Sequence, residues 1–246
     1  MVVVADLEQR LATPAAPGHF TQGEIEGLPE PVRRFFNAAI APGTPLATSA
    51  RFRSRGSIKI KGWKPFRSRQ VEAPHDGFVW AARVGGLISG YDYYADGRGA
   101  MNWKVLALVT VVDADTPDHA RSAAGRAGAE SIWVPTAMLP RFGVEWTAED
   151  DTHITSRHPV DDLEVEIRYV LDSNGRITSI SSERWGDPDD TGEIRSLPSG
   201  ADVTGHATFG GVTVPSRGTY GWFHGTPRWE EGKFFRFEIV SLELIA

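Results

Sequence analysis

The segment Glu130-Ser-Ile-Trp-Val-Pro-Thr-Ala-Met-Leu-Pro140 decides the fold, because it is a long apolar, helix-compatible run in a chain that otherwise has the pattern of β-strands. Its apolar side chains would lie on most sides of a helix; they are Ile132, Trp133, Val134, Met138 and Leu139. An element that is apolar on most sides needs partners around it. We therefore predict a helix laid across a sheet, with Pro135 kinking it or sitting in its first turn.

On both sides of this segment the sequence alternates with a period of two. Between Ala50 and Lys61, small or apolar residues alternate with arginine, lysine and serine, so one strand face is largely apolar and the other basic. Twelve strands are predicted: Thr48–Lys61, Phe66–Ala73, Phe78–Val84, Ser89–Ala95, Met101–Val112, Val144–Ala148, Thr152–Arg157, Leu163–Leu171, Arg176–Trp185, Asp202–Phe209, Val212–Phe223 and Phe234–Leu244. Short turn sequences such as Asp96-Gly97 join them, which indicates antiparallel neighbours.

Three further helices are predicted before the central segment. Asp6–Ala12 is short, and Leu28–Ile40 repeats apolar residues at spacings of three and four. Asp115-Thr116-Pro117-Asp118 supplies a cap, a first-turn proline and an early acidic side chain for a helix that continues to Ala127.

These elements predict an α+β fold in which a large curved antiparallel sheet of about twelve strands forms a half-barrel. Two or three helices would pack on its concave face and leave a ligand cavity between helices and sheet. We divide the chain into an N-terminal arm, 1–23, that includes a loop with Pro14, Pro17 and Gly18, and a single β-rich domain, 24–246.

Composition excludes several classes of protein. The 246 residues contain no cysteine, which rules out disulfides, thiolate catalysis and cysteine-ligated metals. A net charge of −6 disfavours nucleic acid as a partner. The start, Met1-Val-Val-Val-Ala-Asp6, has too few apolar residues for a signal peptide or a membrane span. We expect a cytoplasmic protein without an integral membrane segment, and the sequence carries no signal for its oligomeric state.

The charges are unevenly distributed. Residues 49–71 hold eight basic side chains and no acidic one, whereas residues 145–193 hold fourteen acidic side chains against four arginines. One interpretation is a basic face for an anionic ligand. The other is two groups of strands whose charges pair across the sheet or face solvent.

Catalytic signatures are missing from the sequence: it has no nucleophile elbow, phosphate loop, dinucleotide glycine pattern or His-Glu-x-x-His. We predict no cofactor and no metal. One loop, Asp187–Glu193, partly follows a calcium-binding EF-hand pattern, but Pro198 stands where that loop needs a bidentate glutamate. A solvated acidic loop is the preferred interpretation.

Eight tryptophans, spread over the whole chain, suggest that some line a cavity while others fill the core. The predicted ligand-binding residues are Trp80, Trp103, Trp133, Thr136, Met138, Trp185 and Trp222. Glu130 and Arg184 are the polar pair singled out, either as a buried ion pair or as anchors for a ligand. If the protein is an enzyme, these two are the predicted catalytic residues.

The sequence also resembles an uncharacterised bacterial domain-of-unknown-function family. The central motif carries most of the resemblance: Glu130-x-x-Trp133-x-Pro135-Thr-Ala-Met-Leu-Pro140 followed by Val144-x-Trp146. Weaker matches are Leu28-Pro29-x-Pro31-Val32, Gly77–Ala82, Asn174-Gly175-Arg176-Ile177, Arg184 and Val214-Pro215-Ser216. The resemblance implies a fold similar to LolA-like carriers of lipoproteins and lipids, and it implies no reaction.

Two functional hypotheses follow. The first is a binding protein that holds a hydrophobic small molecule, lipid or polyketide-like, in the cavity. The alternative is an enzyme, a cyclase, isomerase or hydrolase, in which Glu130 acts as acid or base and Arg184 polarises an oxygen.

Overall fold

One antiparallel sheet of thirteen strands forms the body of the protein, for which a computed structural model describes residues 4–14, 18–106 and 108–246. The strands are β1 Ser49–Lys59, β2 Trp63–Ala73, β3 Gly77–Val84, β4 Ile88–Ala95, β5 Arg98–Val105, β6 Val109–Ala114, β7 Glu145–Ala148, β8 His153–Val160, β9 Leu163–Leu171, β10 Ile177–Gly186, β11 Arg195–Phe209, β12 Val212–Trp222 and β13 Lys233–Ile245. Their order is β6-β5-β4-β3-β2-β1-β13-β12-β11-β10-β9-β8-β7. The predicted α+β class with one large antiparallel sheet is confirmed.

The sheet consists of two meanders, β1–β6 and β7–β13, that join where β1 pairs with β13. The thirteenth strand arises because the predicted strand Met101–Val112 is a hairpin of β5 and β6. Its turn contains Leu106 at a φ of 53° and no glycine or proline in the sequence 106–108, so the usual turn signal is missing. Ala107 of that predicted strand lies outside the described residues.

Four α-helices accompany the sheet in the described part of the chain: α1 Val4–Leu11, α2 Glu30–Ala39, α3 Pro117–Ala129 and the single-turn α4 Trp229–Gly232. The described helices are all too short or too polar to cross a membrane. The helix α1 packs on the convex face, where Leu7 and Leu11 meet Val71 and Val79. The boundary of the arm at residue 23 stays a prediction, and Pro17 of its loop lies outside the described residues.

The central segment is buried but is not an α-helix. It forms three 3-10 turns, Glu130–Trp133, Pro135–Met138 and Pro140–Phe142, and we call residues 130–142 the plug. Proline has no N–H and pushes the preceding residue out of the helical region, and Val134 and Leu139 have ψ angles of 63° and 146°. The predicted second helix is therefore corrected to a chain of turns.

Buried hydrogen bonds tie the plug to the sheet and to β7. Trp133 Nε1 donates to the Pro215 carbonyl at 3.0 Å, and Thr136 Oγ1 donates to the Ala47 carbonyl at 2.6 Å. Trp146 Nε1 donates to the Met138 carbonyl at 2.9 Å. Each bond satisfies a polar group that would otherwise be costly to bury.

The helix α3 bridges the two halves of the curved sheet. On one side, a side chain at Gly99 of β5 would come within 2.7 Å of the Ala120 backbone. On the other, a side chain at Gly128 would come within 2.5 Å of Val165 on β9. Trp185 Nε1 of β10 donates to Asp118 at 2.7 Å. Because α3 touches both halves, it spans the concave side of the half-barrel.

The space between α2 and the sheet is filled rather than hollow. Phe35 packs on Trp146 and Tyr169 with ring centroids 5.4 and 6.2 Å apart. The pocket between α2, the plug and β10–β12 has a volume of only about 10 Å³. A ligand site therefore has to be sought elsewhere on the concave face.

Candidate functional site

A row of aromatic side chains crosses the concave face from β5 to β12. We call it the aromatic floor, and its members are Phe66, Trp80, Trp103, Tyr220, Trp222 and Phe235. Ring centroids lie 5.5 Å apart for Trp80 and Trp103, 6.0 Å for Trp80 and Phe66, and 4.8 Å for Phe66 and Phe235. Tyr220 lies directly opposite Phe235 in the pairing of β12 with β13. Such offset and edge contacts are favourable aromatic geometry.

The floor follows from strand alternation. On β2 and β3 the even-numbered residues face the concave side, which places Phe66 beside Trp80. On β13 the odd-numbered residues face the concave side. One of them, Phe237, extends the row to the plug, where its ring centroid lies 5.6 Å from that of Trp133. The inner members are buried, whereas the outer ones, Trp103, Phe235, Tyr220 and Trp222, are only half-buried. The floor thus runs from the packed core to solvent.

Arg184 lies at the solvent end of the floor. Its guanidinium carbon is 5.1 Å from the Trp222 ring centroid and 5.8 Å from that of Tyr220, and Nη1 donates to the Tyr220 hydroxyl at 3.3 Å. Its Nε is buried and has no hydrogen-bond partner among the described residues. A buried donor without an acceptor costs free energy, so an acceptor brought to this atom would stabilise the site.

A network of charged side chains lines the α3 side of the floor. Arg126 of α3 pairs with Glu130 at 2.8 Å and with Asp92 of β4 at 3.1 Å, and Trp103 Nε1 donates to Asp92 at 2.8 Å. The Arg126 guanidinium also lies 4.4 Å from the centroid of Phe78. Burial alone would lower the pKa of Arg126, but Glu130 and Asp92 outweigh burial and raise it. Arg126 therefore stays charged and neutralises this network.

Glu72 of β2 is the most buried member of the network, with no exposed surface. Gln70 Nε2 donates to Glu72 at 2.6 Å and to Glu130 at 2.5 Å, while Oε1 of Glu72 has no partner among the described residues. Burial, followed by repulsion from Glu130, raises the pKa of Glu72 well above its ordinary value. Its buried position therefore favours the protonated form of Glu72.

Stability should depend on pH through Glu72. Below the ordinary pKa of 4.5 the side chain is protonated in both the folded and unfolded states. As pH rises, the unfolded chain releases this proton first, so the folded state loses stability until the raised folded pKa is reached. We expect Glu72→Gln, which cannot ionise, to gain stability relative to the wild type as the pH rises from 5 to 8. The gain is about 1.4 kcal/mol for each unit by which the pKa of Glu72 in the folded state exceeds its pKa in the unfolded chain.

Chemical denaturation of both proteins across this pH range measures the effect. Glu166→Gln is a control of opposite sign, because a hydrogen bond from Arg157 lowers the pKa of Glu166. That variant should be less stable than the wild type at and above the ordinary pKa of glutamate, and the difference should shrink as pH falls through the lowered folded-state pKa. Parallel pH profiles for Glu72→Gln and the wild type would contradict the prediction.

The expected ion pair between Glu130 and Arg184 is not formed. Arg126, one helical turn before Glu130, takes the place predicted for Arg184. Both oxygens of Glu130 already accept hydrogen bonds, Oε1 from Arg126 and Oε2 from Gln70. A general base needs an oxygen directed at the substrate, and this carboxylate is directed at its neighbours instead. Catalytic roles for Glu130 and Arg184 stay predictions.

The predicted ligand-binding residues fall into three places. Trp80, Trp103 and Trp222 belong to the aromatic floor, and Trp133 joins its buried end. Thr136 and Met138 are enclosed in the plug, with exposures of 0% and 1%. Trp185 packs outside the floor, with the Arg121 guanidinium 4.0 Å from its ring centroid. The geometry thus brings together four of the seven residues.

Two other groups of polar residues have structural explanations. Ser179, His224 and Asp202 meet, but His224 uses the same Nε2 atom toward the serine at 3.5 Å and the aspartate at 3.0 Å, so it cannot relay a proton between them. In the acidic loop, Asp187 accepts from the backbone of Thr191 and Gly192. Within the described ranges, no three His, Asp or Glu side chains are placed to hold a metal ion.

Sequence reasoning missed Gln70, Glu72, Asp92 and Arg126, although two signals for them exist. Gln70 and Glu72 share the parity of Phe66 on β2, which predicts that they face the core. Arg126 precedes Glu130 by four residues, the spacing of an ion pair on one helix face. Asp92 meets them only through the pairing of β4 with β3, which no local pattern reveals.

Two solved structures are similar to most of this chain. A LolA superfamily protein from Nitrosomonas europaea is similar over 87% of this chain and 91% of its own, with 9% identity and a TM-score of 0.47. A putative outer membrane lipoprotein-sorting protein domain from Vibrio parahaemolyticus is similar over 80% and 85%, with 8% identity and a TM-score of 0.45.

No curated protein matches the chain. Residues 18–234, by contrast, match a family described as a family of unknown function, DUF6544. This range includes the plug, the charged network around Arg126 and every member of the aromatic floor except Phe235. The resemblance seen in the central motif is thereby confirmed, and the chain belongs to the DUF6544 family.

Proposed function

We propose that the protein binds an amphipathic hydrophobic molecule, lipid or polyketide-like, along the aromatic floor. The apolar part would lie on Trp80, Trp103 and Phe235. An acidic or carbonyl head group would accept a hydrogen bond from Arg184. A site with an apolar lining and few polar groups is typical of small-molecule binding.

One observation carries this proposal. Ring contacts run from the buried Trp133 through Phe237, Phe235 and Trp80 to the half-buried Trp103. On the β12 side of the floor, Arg184 lies near the half-buried rings of Tyr220 and Trp222, and its Nε has no hydrogen-bond partner among the described residues. Half-buried aromatic side chains keep apolar area that a ligand would remove from water. The guanidinium supplies the matching polar contact, and its fork geometry suits a carboxylate or phosphate.

A binding assay can test the contact to the head group separately from the contact to the apolar chain. We expect a fluorescent fatty acid to bind, and Arg184→Met to weaken its binding about tenfold or more, because a hydrogen bond to a charged group contributes about 1.5–3 kcal/mol. Binding of the alcohol of the same chain length should change much less. Arg168→Met is the matched control, since Arg168 is exposed, lies on the neighbouring strand β9 on the convex face and pairs with Glu166.

Native mass spectrometry of the purified protein would complement the assay by detecting a co-purified ligand. The proposal fails if neither compound binds and no ligand is retained. It also fails in its assignment of Arg184 if the variant weakens the acid and the alcohol equally.

The acid–base alternative has weaker support. The carboxylate of Glu130 is held by Arg126 and Gln70, and Arg184 points to Tyr220 rather than to Glu130. The geometry therefore favours binding over proton transfer as the role of this site.

A further inference from the structure

Three hairpin turns lie side by side at one end of the sheet. They join β1 to β2 at residues 60–62, β3 to β4 at residues 85–87 and β5 to β6 at Leu106 and Leu108, and we call the described residues of these turns the hairpin row. Backbone hydrogen bonds tie the second turn to its neighbours: Gly85 N–H donates to the carbonyl of Pro65 at the start of β2, and Leu106 N–H of the third turn donates to the Leu87 carbonyl, both at 2.8 Å. The turns are thus held together as one surface.

Each turn in the row exposes a large apolar side chain. The exposed fractions are 82% for Leu108, 62% for Leu106, 59% for Leu87 and 40% for Ile60. The adjacent edge strand β6 adds Val109 and Val111, which are also exposed. Single exposed apolar residues are ordinary, but a contiguous group of them marks a surface that is covered in use.

Basic side chains surround this apolar surface. Lys59, Lys61 and Lys64 flank the first turn and are exposed. On the convex face behind the row, Arg53 lies opposite Arg69, and Arg67 lies opposite both Arg55 and Arg83. Like charges directly opposite each other destabilise a sheet, so an external anion on this face would relieve their repulsion.

The acidic strands do not neutralise these arginines. The acidic run, residues 145–193, lies in β7–β10 and the following loop, and β13, β12 and β11 separate β10 from β1. Within the described residues, Arg55 pairs with Glu238 at 2.8 Å and Arg69 with Glu8 at 3.2 Å, while Arg53, Arg67 and Arg83 form no salt bridge. The idea that the two charged runs pair across the sheet is wrong, and a basic surface remains.

We propose that the hairpin row docks on an anionic lipid bilayer. The leucines would enter the interface between head groups and acyl chains, while the lysines and arginines pair with lipid phosphates. Apolar side chains bordered by Lys and Arg are the combination that holds proteins at anionic membrane surfaces. A second copy of the chain suits this surface less well, because it would bring arginine against arginine.

This inference goes beyond the proposed ligand and does not depend on it. The position of the row nevertheless fits a lipid-handling protein: Ile58, beside the first turn, lies directly opposite Phe235 of the aromatic floor. Docking by the hairpin row would therefore bring the open end of the floor close to the membrane.

Vesicle flotation tests the proposal with the full chain. We expect the protein to float with phosphatidylcholine vesicles that contain about 30% phosphatidylglycerol and to bind pure phosphatidylcholine at least tenfold less well. The triple variant Leu87→Ser, Leu106→Ser, Leu108→Ser should lose about tenfold or more in affinity for the anionic vesicles. Arg53→Ser with Arg67→Ser should also weaken this binding and flatten its dependence on salt.

The matched control is Ile194→Ser. Ile194 is 38% exposed but lies in the acidic stretch before β11, so its replacement should leave vesicle binding unchanged. Circular dichroism confirms that each variant is folded. Absence of wild-type binding, or wild-type affinity in the triple variant, would overturn the proposal. So would a triple variant that dissociates a dimer in sedimentation, because the row would then be an interface between copies.

Discussion

Replacing Arg126 with methionine should destabilise the protein by about 3–5 kcal/mol at pH 8, because breaking a buried ion pair leaves its charged partners uncompensated. Arg126 contacts both Glu130 and Asp92, and their side chains, like its own, are less than a fifth exposed. Methionine keeps much of the packing against Phe78, so the loss should be mainly electrostatic. Chemical denaturation measures the free energy of unfolding.

The destabilised variant should recover part of its stability at low pH. Burial raises the pKa of Asp92 and of Glu72, and Arg126 opposes both shifts. Without the arginine these folded-state pKa values should rise further. A raised carboxyl pKa favours the folded state only at low pH, so Arg126→Met should be closest to the wild type near pH 4–5.

Two further variants make this prediction specific. Adding Glu130→Gln and Asp92→Asn to Arg126→Met should restore much of the lost stability, because the uncompensated charges are removed. Arg168→Met is the control, with an exposed arginine in a surface ion pair, and should change stability by less than about 1 kcal/mol. Equal effects of the two arginine variants would contradict a buried network.

The second large effect is expected for Trp133→Ala, at about 3–5 kcal/mol. The Trp133 ring packs between Phe52 and Phe237 at centroid distances of 5.0 and 5.6 Å, and its Nε1 donates to the Pro215 carbonyl. Alanine would leave a cavity where the plug meets the sheet and an unpaired buried carbonyl. Trp133→Phe keeps most of the apolar area, so its cost, about 1–3 kcal/mol, should come mainly from that carbonyl.

Trp63→Ala is the matched control for Trp133. Trp63 is half-buried at the start of β2 and packs under the Arg236 guanidinium, whose carbon is 4.1 Å from the ring centroid. An exposed cation–π contact contributes about 0.5–1 kcal/mol. Thermal and chemical denaturation should therefore separate the two tryptophans clearly. A similar loss at both positions would show that the plug is not the centre of the core.

Local sequence patterns predicted the part of the candidate site that depends on strand alternation. Trp80 and Trp103 lie on strands that alternation identified, and Trp80 shares the concave parity of the buried Phe78 on the same strand. The pairing of Glu130 was predicted with the wrong arginine, although Arg126 has the better local spacing. Arg184 instead faces Tyr220, a contact between strands two places apart in the sheet, and no spacing along the chain encodes such a contact.

Alternation and turn residues were sufficient to establish the α+β class, the antiparallel sheet and the buried central segment, because strand period and short connections are local properties. Long-range packing decided the rest. Pairing of β1 with β13 joined the two meanders, the two prolines divided the plug into 3-10 turns, and curvature brought α3 against both halves. Sheet register brings Glu72 and Asp92 near each other, and the docking of α3 on the curved sheet adds Arg126. Sequence separation predicts neither contact.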